Sequence, residues 1–164
     1  MLGIVGVGFF AAAALSSVPD KPITVANGVQ VVIPPEWEYV GRSNDGKTIE
    51  LTRGNATVDV TVVEDSDETT ALNHVRADWA QIPTLSMGDI APVADARTDG
   101  KPAARFAYSG TIPGAGLPGA VEGEVTAVRG SNSVAVVFDA WAGQGEFANA
   151  SGAIATMIRE TTIP

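Results

Sequence analysis

Four carboxylates, Glu50, Asp59, Glu122 and Glu124, stand on runs whose alternation of apolar and polar residues reads as β-strand. Two such groups facing one another in a cleft, with their pKa values raised, are the equipment of a hydrolase acting on glycosidic polymers. One carboxyl serves as acid, the other as base or nucleophile. Charged outer faces of sheets carry the same residues without any chemistry, and sequence alone sets no distance between them. His74 is the single histidine, with Asp78 four residues on and on the same helical face. Such a pair can move a proton or begin a metal site. Zinc takes three or four ligands, and the chain has no cysteine and no second histidine. A solvated helix face explains the pair more simply, and a Ser-His-Asp triad has little to draw on. The acidic stretch 65–68 opens like a calcium loop. The glycine and glutamate of an EF-hand would fall at Thr70 and Arg76, so that pattern fails.

Gly114, Gly116 and Gly119 match G-x-G-x-x-G. A dinucleotide loop of that form follows a strand and opens a helix, whose N–H groups meet the pyrophosphate. Here Pro118 and the alternation over 121–129 predict a strand next, so a hairpin loop, a mobile lip of a binding surface, is the expectation. Trp37, Trp79 and Trp141 are the large aromatics, and such residues mostly pack in cores. If one of them stands at the surface, the expected one is Trp37, directly after Pro34-Pro35-Glu36. Trp37, Gly114, Gly116 and Gly119 are therefore the candidate ligand contacts. No catalytic residue, metal or cofactor is expected.

These residues need a frame. The chain has 164 residues, 45% of them hydrophobic, enough for one domain with a core and a short appendage. A net charge of −9 repels nucleic acid and anionic lipid, so a phosphate-backbone partner is not expected. A basic partner, or simple solubility, fits the charge. Without cysteine there is no disulfide framework and no lipid-bearing lipobox.

Residues 1–18 carry no charge and read as a signal peptide or membrane anchor, though a bilayer-spanning helix needs roughly 20 apolar residues. Residues 19–22 form a linker, and 23–164 a single α+β domain. The run 56–63 alternates, with Val58, Val60 and Val62 on one face and Asp59 and Thr61 on the other. Strands are also expected over 23–26, 29–33, 36–40, 47–53, 94–97, 103–109, 121–129 and 133–141, with a looser edge segment at 86–92. Helices are expected over 69–82, burying Leu72, Val75, Trp79 and Ile82, and over 146–161, burying Phe147, Ile154, Met157 and Ile158. Gly152 in the second would permit close packing. Strands grouped in runs argue for a twisted antiparallel sheet packed by two helices.

That order resembles the PsbP/Mog-like fold, and in particular actinobacterial envelope proteins of the LpqN type. The matching stretches are 31–37 (Val-Val-Ile-Pro-Pro-Glu-Trp), 47–53, 56–63 and 153–159. The resemblance implies a sheet with helices against it, a non-catalytic binding or scaffolding role in the cell envelope, and a protein partner or apolar ligand. It also implies an exported protein, membrane-anchored or secreted. LpqN-type proteins carry a lipobox cysteine, which this chain lacks. The alternative function is the carboxylate-based hydrolase of cell-wall polymer.

Overall fold

The computed structural model describes residues 22–113 and 119–164. The hydrophobic segment 1–18, most of the linker, Gly114 and Gly116 lie outside the described residues. The elements in order are β1 (Ile23–Thr24), β2 (Gln30–Val31), β3 (Glu38–Arg42), β4 (Thr48–Arg53), β5 (Ala56–Val63), α1 (Glu68–Trp79), β6 (Leu85–Met87), β7 (Ala91–Pro92), β8 (Ala103–Gly110), β9 (Val121–Arg129), β10 (Ala135–Gly143) and α2 (Phe147–Glu160). The main sheet runs β3-β4-β5-β10-β9-β8-β6, with β7 also paired to β8, and every described pairing is antiparallel. β1 and β2 form a small separate ribbon whose connection contains Asn27 at φ 54°.

The sheet is the core because both of its faces are apolar over part of their extent. One face carries Ile49, Leu51, Val58, Val60, Val62, Val136, Phe138 and Ala140, roofed by Ala150, Ile154, Met157 and Ile158 of α2. The other carries Phe106, Tyr108, Val125, Ala127, Val137 and Trp141, roofed by Ala71, Leu72 and Trp79 of α1. The fold is therefore an α+β sandwich of one sheet between two helices. The helices do not face each other squarely. α1 lies over β8, β9 and β10, whereas α2 lies over β10 and β5.

Local chemistry sets the helix ends. Asp67 caps α1, its carboxylate accepting from the Thr70 amide at 2.7 Å. Glu68, buried at the start of α1, forms a two-pronged ion pair with Arg129 at the end of β9, at 2.6 and 3.1 Å. The first turn of α2 is served from the sheet, where Glu122 accepts from the Phe147 amide at 3.1 Å. The strand expected over 94–97 is a turn instead, with Asp95 at φ 61°. The reason is Arg97, whose guanidinium donates to the carbonyls of Ile158 and Thr161 at 2.7 Å each and so closes the C-terminal end of α2.

Candidate functional site

α1 covers only part of its face of the sheet. Among the described residues no helix lies over β5, β4 and β3 on that side. The side chains there are Thr48, Glu50 and Thr52 of β4 and Thr57, Asp59 and Thr61 of β5, all half-buried. The strands alternate so that Val58, Val60 and Val62 fill the opposite face, as expected from the period of two.

The register places three carboxylates in a line. Glu50 pairs with Asp59 across β4 and β5, and Asp59 pairs with Asp139 across β5 and β10. Directly opposed side chains in such pairs stand about 5 Å apart at Cβ. Asp139 accepts a hydrogen bond from the Tyr108 hydroxyl at 2.9 Å. That bond spans β9, because Gly123 lies beneath the tyrosine ring. A Cβ at position 123 would sit 2.7 Å from the ring's Cζ and hydroxyl. Trp79 of α1 meets the same tyrosine edge-on, with ring centroids 4.6 Å apart, and fixes it in place.

The electrostatics of the line follow from its surroundings. Burial pushes the Asp139 carboxyl up to about 7, against the opposing effect of the Tyr108 hydrogen bond. Asp59 is raised well above the ordinary carboxylate range by burial and by the negative charges of Asp139 and Glu50. Glu50, at the open end, is raised by desolvation. Tyr108 is likewise held well above the usual phenol range, first by burial and then by Asp139. Oδ1 of Asp59 is buried with no hydrogen-bond partner. Every arginine of the chain is engaged elsewhere, in an ion pair or a hydrogen bond. The line is a row and not a cage: among the described residues no three acidic or histidine side chains are grouped closely enough to hold a metal ion.

Two of the four carboxylates singled out from the sequence are thus brought together, Glu50 and Asp59. Glu122 and Glu124 are not. They point to the opposite face of β9, where Glu122 serves α2 and Glu124 pairs with Arg105 at 3.2 Å. The sheet order also separates the two pairs, since it inserts β10 between β5 and β9. Asp139 takes the third place. It was missed because it lies in an apolar run, although a single acid inside such a run was itself a signal. His74 is exposed on α1.

Trp37 is not the surface aromatic expected after the double proline. The turn 34–37, with Glu36 at φ 69° and the Trp37 amide bonded to the Pro34 carbonyl, swings the indole inward to 0% exposure. Gly119 is described, at φ 112°, and among the described residues nothing lies within 4 Å of where a Cβ would stand.

The fold is PsbP/Mog-like, defined by this antiparallel sheet with one helix on each face. The cyanobacterial PsbP (CyanoP) of Synechocystis aligns with 93% of this chain and 100% of its own, at TM-score 0.57 and 10% identity. LpqN of Mycobacterium tuberculosis, described as involved in cell envelope biogenesis, aligns with 83% of each chain at TM-score 0.58 and 15% identity. The Ran-binding protein Mog1p of Saccharomyces cerevisiae aligns with 90% of this chain and 96% of its own, at TM-score 0.53 and 14% identity. No family model and no curated protein matches the sequence. Identities this low carry the fold and nothing of function. Among the described residues no helix is long and apolar enough to cross a membrane.

Proposed function

We propose that this chain is a non-catalytic binding module of a cell envelope, exported by its apolar N-terminal segment, which docks a protein partner on the uncovered half of the α1 face. The observation that carries the reading is the acidic row on that half-face, partly desolvated and without a counter-charge from the chain's own described residues. A sheet face that only needed solvation would keep its carboxylates in water. The fold is shared with LpqN and with Mog1p, whose descriptions name envelope biogenesis and Ran binding respectively, and a scaffolding role is consistent with both. A hydrolase is the weaker reading, because Glu122 and Glu124 lie on the opposite face from Glu50 and Asp59.

Site-directed photo-cross-linking in intact cells tests this. Cross-linkers at Thr52 and Thr57 should trap one discrete partner, and a cross-linker at Ser151 on α2 should not. Failure of the Thr52 and Thr57 positions to trap any protein, or a cytoplasmic signal from a reporter fused at Pro164, would refute the proposal.

A further inference from the structure

We infer that the Glu50–Asp59–Asp139 row is the seat for a single basic side chain, an arginine or lysine, presented by the partner protein that lies along the open half-face. The inference rests on the docking face proposed above and adds the chemistry of recognition. Three observations support it independently of the acidity of the row. Oδ1 of Asp59 is buried, and among the described residues no donor fills it, so it has an acceptor to offer. The neighbouring Thr48 and Thr61, bonded to each other at 3.0 Å, and the half-buried Thr52 and Thr57 flank the row with hydroxyls and not with apolar groups. Among the described residues no cation is seated on the row: every arginine is engaged elsewhere and Lys47 is paired with Glu64, while the whole molecule carries −9. A guanidinium suits two carboxylates in line, because its planar donors can fork between them.

The seat must release a proton to be filled. In the free protein Asp139, at about 7, is half protonated near neutrality. On docking, the Asp139 O–H bond breaks, its proton passes to solvent, and the carboxylate keeps the electron pair and faces the incoming cation. The titratable groups around it are Tyr108 of β8, which donates to it, Asp59 of β5 in register beside it, and Glu50 of β4 beyond. β9 contributes only Gly123 and Val125 at this point, and α1 contributes the uncharged Trp79 against Tyr108. Binding therefore strengthens as pH rises through about 7.

A short arginine-bearing peptide and its citrulline counterpart, which keeps the shape and loses the charge, provide the probe. Binding to the intact protein is read by the carboxyl carbon shifts of Asp59 and Asp139. The arginine peptide should bind at least roughly tenfold tighter at pH 8 than at pH 6, the ratio expected when Asp139, near 7, must ionise, with Asp59, shifted the same way, adding to it. The citrulline peptide should not bind. Asp59→Asn should lose at least about tenfold, and Glu50→Gln provides a milder variant should the first fold poorly. Glu124→Gln, on the other face, should change nothing. Equal binding of the two peptides, a flat pH profile, or equal loss in Glu124→Gln would overturn the inference. Should no peptide bind while cross-linking at Thr52 and Thr57 still traps a partner, the cationic seat is wrong and the docking face stands. Should both fail, both fall.

Discussion

The Tyr108 hydroxyl donates to Oδ1 of Asp139 across an intervening strand, at 2.9 Å, and can do so only because residue 123 has no side chain. A tyrosine and an aspartate on β8 and β10 would otherwise be separated by whatever β9 places between them. The glycine, the tyrosine and the acid form one device. The tyrosine lies over the glycine, Trp79 holds it there, and its hydroxyl is carried to the carboxyl.

Replacing that glycine tests the device. In Gly123→Ala the new methyl would collide with the Ala140 carbonyl and with the tyrosine ring. Overpacking of this kind costs about 1–3 kcal/mol. Thermal unfolding should show the loss, and near-UV circular dichroism should show Tyr108 and Trp79 displaced. An unchanged spectrum at full stability would contradict the close approach.

Asp139 makes the protein's stability fall with pH. Its folded pKa is about 7, against 3.8 for the free side chain. Between those values the folded state holds a proton that the unfolded state has released, so the contribution of Asp139 is fully present below pH 4 and is lost as pH climbs to 7. Asp59, shifted in the same direction, adds to the trend. Asp139→Asn keeps an acceptor for Tyr108 and removes the titration. Wild type and Asp139→Asn should match near pH 4, and the variant should be more stable at pH 8 by about 2–4 kcal/mol in urea titrations. Parallel pH profiles would show that the carboxyl is already ionised in the folded protein.

Gly152 yields the opposite kind of prediction. Its place in α2 suggests close packing, yet nothing lies within 4 Å of where its Cβ would be. The glycine is exposed and spends backbone entropy with no contact in return. Gly152→Ala should stabilise by about 0.5–1 kcal/mol, read as a rise in midpoint. Destabilisation would mean that the helix needs the glycine for a reason its neighbours do not reveal.

Periodicity made much of the architecture legible before any coordinates. The strand expected over 121–129 is β9, Val121–Arg129, and the helix expected over 146–161 is α2, Phe147–Glu160. The acidic stretch 65–68, which fails as a calcium loop, holds the cap of α1, Asp67. What stayed hidden depends on register and on turns. Nothing local in Glu50, Asp59 and Asp139 says that three strands align them, since the alignment is set by β5 and β10 pairing across a long stretch of chain. Trp37 went inward because the backbone at Glu36 takes a left-handed turn, which an acidic side chain does not advertise. Arg97 looked like part of a strand, whereas its carbonyl partners at the end of α2 are far away in sequence.

The two borders of the sheet are poor templates for lateral growth. On one side the pairing of β3 with β4 slips between Tyr39 and Gly41, and on the other β6 is three residues long and β7 ends in a proline. A neighbouring chain that tried to extend the ladder at either margin would find few amides and carbonyls in step with its own. Edge-to-edge growth into open-ended fibres is thereby disfavoured.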